Sequence, residues 1–389
     1  MSSAGNRRNA GRRARKGARL QGAVPCRLPV LGPRGDRALS RRIARLVEGA
    51  GKIIITGHER PDGDCIGSEV ALCAVLRQAG LDAAVVNSDP AAPRYSFLLE
   101  AAGCDGRPVP VRVLGADERT LAADLFFVLD ATSLPRLGRV AALVERSKAR
   151  VINMDHHEGN SLFGAINWAE HRAAATAELV WRLASCCGWE APRTALDALY
   201  TGLVTDTGQF SYRNTSPLVL RMAAELVELG VEPETIWRNV YNSRSRSEMA
   251  LEARARASLG TAAGGRIAHI ALSQGDFLAT GTDPRATEEM VNIPRSLAGV
   301  ELSLFFYAVN GGKQTKVSMR SVSPIDVAAF ARQFGGGGHR QAAACKLDLG
   351  LGAAKRKFLP VAERYISTQR ALRNAKGLLE PQRGADKRR

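Results

Sequence analysis

The sequence predicts an α/β protein with an N-terminal parallel-sheet domain, a helical linker and a smaller α/β C-terminal domain. The chain has 389 residues, of which 45% are hydrophobic, and this is more than one core comfortably holds. In the first half, short apolar runs rich in Val, Ile and Phe alternate with helix-like sequence. Such alternation is typical of a parallel sheet covered by helices on both faces.

The first half supplies four short strands and the helices between them. Residues 38–47 have helical spacing, and residues 66–79 are apolar around most of a helix, as expected for a helix packed on a sheet. We expect Asp64 to cap the N-terminus of this second helix. The strands are predicted at residues 52–56, 83–86, 125–129 and 151–154, with a further helix at 137–147.

The second half changes character twice. From residue 173 to about residue 259 the pattern is mainly helical, and the charged stretch 233–257 has the character of a connector. A second domain follows. Its strands are predicted at 267–272, 302–309, 316–320 and 343–347, and its helices at 286–297 and 324–332. The predicted parts of the chain are a disordered basic tail (1–36), the parallel-sheet domain (37–232), the linker (233–262), the C-terminal domain (263–368) and a second basic tail (369–389).

Most of the net charge of +17 lies in the tails. Residues 1–35 carry nine Lys or Arg and no acid, and residues 370–389 carry seven basic residues against two acidic ones. The folded body is therefore nearly balanced in charge. Since neither tail has interleaved aromatic residues for base stacking, we expect solvated arms that add at most weak, salt-dependent contact with nucleic acid.

The lengths of the apolar runs and the cysteine content indicate the cellular compartment of the protein. No run approaches the roughly 20 apolar residues of a membrane span. The seven cysteines are odd in number and include no CxxC pair, which argues against a disulfide framework or a zinc knuckle. We therefore expect a cytoplasmic protein in a reducing compartment, with no membrane partner.

Acidic and imidazole side chains follow three of the predicted strands, and one more acid follows a helical segment. In a parallel sheet the carboxyl ends of the strands meet at one edge, where ligands bind. Each signal alone fits a helix cap or an exposed turn, whereas the whole set indicates a site. The residues are His58, Asp62 and Asp64 in GHERPDGDCIGS, Asp130 after LFFVL, Asp155, His156 and His157 after the fourth strand, and Asp206 in a Gly-flanked loop.

This donor set indicates divalent metal ions. Closely placed carboxylates repel one another unless a cation compensates. Carboxylates with some imidazole suit Mn²⁺ best, with Mg²⁺ or Co²⁺ as substitutes. Because the candidate ligands outnumber those that one ion takes, we expect two ions bridged by one carboxylate.

As an ordered set, these residues resemble the four motifs of the DHH family of phosphoesterases, and the resemblance covers residues 39–366. It implies that Asp130 bridges the two ions, that Asp155 orients a ligand, and that His157 hydrogen-bonds the phosphoryl group or its leaving oxygen. The implied metal ligands are His58, Asp62 and Asp130 for one ion and Asp64, Asp130, His156 and Asp206 for the other.

The C-terminal part has its own signal, FGGGGHRQAAACKL at residues 334–347. Glycines let backbone amides approach a phosphate, although a glycine run is also typical of a flexible loop. The segment resembles the substrate-binding domain associated with DHH domains, except that Ala344 replaces a glycine usual there, which puts the local turn in doubt. The predicted substrate contacts are Arg320, Gly336, Gly337, Gly338, His339 and, beside the fourth motif, Asn214.

The resemblance implies a phosphoric ester hydrolase in which two metal ions activate a hydroxide. Chain length and the glycine segment are most similar to bacterial nanoRNases, which degrade very short RNAs and also dephosphorylate 3'-phosphoadenosine 5'-phosphate. A phosphodiesterase of linear or cyclic dinucleotides and a single-strand exonuclease stay open as alternatives. A related pyrophosphatase and a non-catalytic RNA-binding protein are disfavoured. A homodimer is compatible with the resemblance.

Overall fold

A computed structural model describes residues 26–30, 36–103, 106–287, 290–322 and 325–379 of the chain. Within these residues, one six-stranded sheet organises the N-terminal half and another organises the C-terminal half. A short strand, β1 (Cys26–Arg27), lies in the segment predicted as a disordered tail and pairs antiparallel with β8 (Glu190–Ala191). None of the described helices combines the length and apolar content that crossing a bilayer requires.

The N-terminal sheet is parallel throughout, because its central strands are short, apolar and buried on both faces. This confirms the predicted fold class. The two edge strands of the sheet were not predicted, since neither contains an apolar run. The strands are β2 (Ile53–Thr56), β3 (Ala83–Asn87), β4 (Val111–Val113), β5 (Leu125–Leu129), β6 (Arg150–Asp155) and β7 (Ile166–Ala169), in the spatial order β4-β3-β2-β5-β6-β7.

Helices cover the sheet and continue into the linker. The helix predicted at 137–147 begins instead as a 3-10 helix, Leu134–Val140, because Gly138 has φ 58° and ψ −129° and interrupts the turn. The helices are α1 (Asp36–Glu48), α2 (Gly63–Gln78), α3 (Ser96–Glu100), α4 (Ala141–Arg146), α5 (Thr176–Cys187), α6 (Arg193–Asp206), α7 (Pro217–Glu228), α8 (Pro233–Tyr241) and α9 (Arg246–Ala257).

Helix α2 is the central helix of this domain and positions much of the site. It is buried over nearly its whole length. It crosses α6 so closely that a Cβ added to Gly67 would lie 2.6 Å from the carbonyl oxygen of Ala198. The prediction that Asp64 caps α2 is wrong, because Asp62 is the N-cap residue and its Oδ1 accepts from the amides of Asp64 and Cys65, at 3.1 Å each. The side chain of Asp64 is therefore available for other contacts.

The C-terminal sheet is mixed, and among its described strands only β10 and β11 pair in parallel. Described residues within the predicted helix 286–297 form only a 3-10 turn, Pro284–Thr287, and a short helix. The helix predicted at 324–332 begins at Val327, and residue 324 lies outside the described residues. The strands are β9 (Gly260–Ala262), β10 (Ile267–Leu272), β11 (Leu302–Val309), β12 (Gln314–Ser321), β13 (Gly337–His339) and β14 (Ala342–Leu347), and the helices are α10 (Gln274–Thr280), α11 (Asn292–Arg295), α12 (Val327–Arg332) and α13 (Leu351–Leu379).

Helix α13 packs against the C-terminal sheet and completes the hydrophobic core of that domain. Its buried residues Ala354, Phe358, Ala362 and Ile366 recur every four residues and pack on the sheet. The helix extends to Leu379 and so occupies the beginning of the segment predicted as the second basic tail.

Part of the glycine segment is a strand and not a free loop, since Gly337–His339 form β13. In β13, Gly337 pairs with Ala344 of β14, so the turn that Ala344 was expected to disturb does not occur at that position. A Cβ on Gly336 would lie 2.2 Å from the carbonyl oxygen of Ala344, whereas a Cβ on Gly337 would meet no atom within 4 Å. The close approach of two chain segments therefore requires glycine at position 336.

We expect Gly336→Ala to destabilise the C-terminal domain by about 1–3 kcal/mol, since the added methyl group overlaps backbone atoms of β14. Gly337→Ala is the matched control and should change the free energy of unfolding by no more than about 0.5 kcal/mol. Urea denaturation of both variants tests this. Equal stability of the two variants would contradict the packing role of Gly336.

Candidate active site

The carboxyl edge of the parallel sheet gathers the predicted metal ligands. Asp206 is the last residue of α6, where a loop was predicted. Asp130 has φ 56°, a left-handed conformation that Asp tolerates better than most residues and that is common at functional sites. Of the others, His58 follows β2, Asp62 and Asp64 begin α2, Asp155 ends β6, and His156 and His157 come directly after it.

His58, Asp62 and Asp130 form a first cluster. Nε2 of His58 lies 3.4 Å from Oδ2 of Asp130 and 3.8 Å from Oδ2 of Asp62. Nδ1 of His58 donates to the carbonyl oxygen of Glu59 at 2.8 Å. Because this bond places a proton on Nδ1, Nε2 is the nitrogen available to a metal.

His156 is the centre of a second cluster. Its Nε2 lies 3.7 Å from Oδ2 of Asp64, 3.5 Å from Oδ1 of Asp130 and 3.5 Å from Oδ2 of Asp206. Its Nδ1 donates to the carbonyl oxygen of Ala173 at 3.3 Å. Asp130 thus directs Oδ2 to the first cluster and Oδ1 to the second, which is the arrangement of a bridging carboxylate.

The charge of the site demands compensation by cations. Burial raises the pKa of Asp64 well above its usual value, and the charges of Asp130 and Asp206 raise it further. Burial also raises the pKa of Asp206 to about 6, although His156 opposes the change. Burial alone would lower the pKa of His58, but the carboxylates of Asp130 and Asp62 hold it well above its usual value. Burial and mutual repulsion thus favour the protonated forms of Asp64 and Asp206, and carboxylate and imidazole donors fit divalent ions in place of these protons.

Metal affinity should therefore depend on pH. In the metal-free protein, nearby carboxylates raise the pKa of both His58 and His156 by more than burial lowers it. Protons therefore compete with metal ions as the pH falls through these raised values. We expect Mn²⁺ to bind more weakly at about pH 6 than at about pH 8, with net release of protons. Calorimetric titration in two buffers of different ionisation enthalpy measures both effects. Equal affinity at the two pH values would contradict this electrostatic account.

His157 and Asp155 form a pair beside the clusters. Nδ1 of His157 donates to Oδ1 of Asp155 at 2.7 Å. Asp155 is fully buried, and its Oδ2 accepts from Nδ2 of Asn160 at 2.7 Å. Nδ1 of His157 also lies 3.4 Å from Oδ1 of Asp130. The orientation of this imidazole is therefore set by Asp155, which Asn160 holds in turn.

The sequence reasoning missed several neighbours of the predicted ligands, among them Cys65, Asn160 and Thr176. Cys65 is buried, and its Sγ lies within 4.8 Å of donor atoms of His58 and Asp130. Asn160 holds Asp155, and Thr176 donates to Asp130. Of these three residues, only Cys65 stands within the first motif, where it could have been found from the sequence.

A cavity of about 1690 Å³ extends from these clusters to the C-terminal domain. Asp64, His156 and Asp206 of the N-terminal domain and Arg320 of the C-terminal domain line it. The guanidinium of Arg295 lies over the ring of Tyr212, which follows α6, at 4.8 Å from the ring centroid. Among the described residues, the other basic side chains that line the cavity are Arg60, Arg94, His171, Arg213, Arg244, Arg285, Lys316 and Arg340.

The predicted substrate contacts differ in whether they line the cavity. Arg320 reaches the cavity, but the described glycines 336–338 are not among its lining residues, and Arg340 and Gln341 line it there. The side chain of His339 lies outside the described part of the structure. Nδ2 of Asn214 donates to the carbonyl oxygens of Ala174 (2.9 Å) and Asp206 (3.0 Å), so this amide holds the site together.

The fold and the site define the class of protein. Residues 52–203 match the family described as "DHH family, N-terminal domain", and residues 264–368 match the DHHA1 domain. The chain belongs to the DHH family, as the motifs predicted.

Individual relatives cover most of the chain. The bifunctional oligoribonuclease and PAP phosphatase NrnA of Thermus thermophilus is 32% identical over 316 residues, which are 79% of this chain and 87% of the relative. The protein of the same description from Bacillus subtilis is 24% identical over 74% of this chain and 86% of its own length. The crystal structure of an exopolyphosphatase-related protein from Bacteroides fragilis superposes with a TM-score of 0.75 at 26% identity and covers 86% of this chain and 97% of its own.

Proposed function

We propose that this chain is a metal-dependent phosphoesterase that hydrolyses very short oligoribonucleotides and 3'-phosphoadenosine 5'-phosphate. The observation that carries the proposal is the position of Asp130, whose two carboxylate oxygens face two different imidazole clusters beside the cavity. The activities follow those in the names of the relatives from Thermus and Bacillus.

The donors suggest how two divalent ions, with Mn²⁺ the proposed species, would be held. When bound, such ions lower the pKa of a coordinated water and neutralise charge on phosphoryl oxygens. Asp130 would serve both ions, since each of its oxygens faces one cluster. The proposed ligands are His58, Asp62 and Asp130 for the first ion and Asp64, Asp130, His156 and Asp206 for the second.

His157 is proposed to act on the leaving oxygen. Burial would lower the pKa of this imidazole, but the charges of Asp130 and Asp155 raise it above its usual value. A protonated imidazole whose Nδ1 is held by Asp155 keeps Nε2 as a second donor. Such a group can stabilise or protonate a departing alkoxide, which contributes typically 10²–10⁴-fold to a rate.

The cavity walls favour small substrates with several phosphates. Arg320 and Arg340 of the C-terminal domain line the same cavity as Asp64 and Asp206, and guanidinium groups bind phosphate oxygens in pairs. Because the cavity is bounded by both domains, it accommodates a short nucleotide chain more readily than a long one. Arg320, Asn214, His339 and glycines 336–338 stay proposed substrate contacts. Weak nucleic-acid binding by the tails, a homodimer and a cytoplasmic location stay predictions.

A length series tests the proposal. Purified protein with Mn²⁺ is incubated with RNAs of about 2 to 20 nucleotides and, in parallel, with 3'-phosphoadenosine 5'-phosphate. We expect dinucleotides to be hydrolysed fastest, a falling rate with length and release of phosphate from the bisphosphate. A cyclic dinucleotide arm tests the alternative substrate class. Equal rates on the longest and shortest RNAs, or no hydrolysis of any substrate, would refute the proposal.

A further inference from the structure

Residues 173–177, at the start of α5, contact four of the proposed metal ligands, three directly and one through Asn214, although these ligands come from four different parts of the chain. We call these residues the ligand-holding segment. Its sequence is AAATA, and all five residues are buried. Nothing in its composition singles it out, and its role arises only from the fold.

Asp64 takes the place of a capping residue for α5. Ala175, the N-cap residue, has no side-chain hydrogen bond. Instead, Oδ2 of Asp64 accepts from the amide of Thr176 at 2.6 Å, and Oδ1 accepts from the amide of Ala177 at 3.0 Å. The first-turn amides of a helix are unsatisfied donors at the positive end of its dipole. They therefore hold this carboxylate in place.

The side chain of Thr176 holds the other carboxylate. Its Oγ1 donates to Oδ1 of Asp130 at 2.9 Å. That oxygen faces His156, while the other oxygen of Asp130 faces His58. Thr176 is fully buried, so its hydroxyl is shielded from bulk water.

Two carbonyl groups of the segment hold the remaining ligands. The carbonyl oxygen of Ala173 accepts from Nδ1 of His156. The carbonyl oxygen of Ala174 accepts from Nδ2 of Asn214, which also donates to the main chain of Asp206. All proposed ligands of the second ion thus contact the segment directly or through Asn214.

A buried ionic network anchors the segment. The amide of Ala174 donates to Oε2 of Glu178 at 2.9 Å, and Oε1 of Glu178 accepts from Nη1 of Arg182 at 3.2 Å. Arg182 in turn donates to both carboxylate oxygens of Asp36 in α1, at 2.7 and 2.8 Å. The segment is therefore tied to a helix remote from the site.

We propose that Thr176 is a positioning residue for the second metal ion: its hydroxyl holds Oδ1 of Asp130, and its amide holds Asp64, in the places that this ion requires. The inference rests on the proposed metal-dependent function. It predicts that a change at Thr176 weakens binding of the second ion more than binding of the first. Thr176 holds Oδ1 of Asp130, which belongs to the second cluster, whereas Oδ2 faces the first cluster.

The test compares hydroxyl-deleting and hydroxyl-keeping variants by calorimetric titration with Mn²⁺ alone. In Thr176→Val we expect the first ion to bind as in the wild type and the second to bind about tenfold or more weakly, since a charged hydrogen-bond acceptor loses its donor. Thr176→Ala removes the same hydroxyl with a smaller side chain and should show the same loss. Thr176→Ser should restore the binding of the second ion.

Thr315→Val is the matched control, because Thr315 is equally buried and its Oγ1 donates to the carbonyl oxygen of Leu349 at 2.8 Å in the other domain. It should bind both ions as the wild type does. Wild-type affinity for both ions in Thr176→Val and Thr176→Ala would overturn the positioning role alone. A wild-type protein that binds fewer than two ions would overturn the proposed function as well.

Discussion

Asp130→Asn is expected to abolish hydrolysis while leaving the protein folded. The substitution keeps the shape of the side chain and an oxygen that accepts from Thr176. It removes the charge and one of the two oxygens that face His58 and His156. Since both clusters lose a donor, we expect kcat/KM on a dinucleotide and on 3'-phosphoadenosine 5'-phosphate to fall by about 10³-fold or more, in line with loss of the charge stabilisation that metal sites supply.

Asp197→Asn is the control for this prediction. Asp197 lies on α6, the same helix as Asp206, and pairs with Arg193 at 3.0 Å away from both clusters. Its substitution should leave kcat/KM within about twofold of the wild type. Thermal unfolding of both variants separates lost activity from lost structure. Unchanged turnover in Asp130→Asn would contradict the proposed mechanism.

Arg182→Met should cause the largest loss of stability. Arg182 is 3% exposed and pairs with Asp36 and Glu178, which are buried as well. Its guanidinium also lies over the ring of Trp168, at 5.4 Å from the centroid. Because the substitution leaves two buried carboxylates uncompensated, we expect the free energy of unfolding to fall by about 3–5 kcal/mol. Urea denaturation measures the loss.

Two further variants separate charge burial from packing. Arg238→Met breaks the exposed pair of Arg238 with Glu234 and should cost less than about 1 kcal/mol. Combining Arg182→Met with Asp36→Asn and Glu178→Gln removes the stranded charges, so the triple variant should be more stable than Arg182→Met alone. A single variant as stable as the wild type would show that this network does not anchor the domain.

The sequence predicted best the elements whose environment is uniform. Strands β5, β10 and β11 were predicted at the bounds observed, because each is an apolar run buried along its length. Strands β4, β9 and β13 were missed, since edge strands carry no such run. The sequence left open whether the glycine segment approaches a phosphate or is a flexible loop, because glycine permits several kinds of close approach. Only the packing of Gly336 against the backbone of Ala344 shows which approach applies at that position.

The site was predictable as a set of residues but not as a network. His58, Asp130 and Asp155 follow strands of one sheet, so chain order alone places them at one edge. Thr176 and Asn160 were not found, because a hydroxyl or an amide has no distinctive pattern in a sequence. Their roles depend on how α5 and the loop after β6 dock against the carboxylates.

Anomalous X-ray diffraction from crystals soaked in Mn²⁺ tests the central claim most directly, because it locates each ion without reference to activity. We expect two peaks per chain at the carboxyl edge of the parallel sheet, one on either side of the Asp130 carboxylate. The first should lie against His58 and the second against His156. A single peak, or peaks remote from Asp130, would contradict the claim that this carboxylate joins two metal ions in one site.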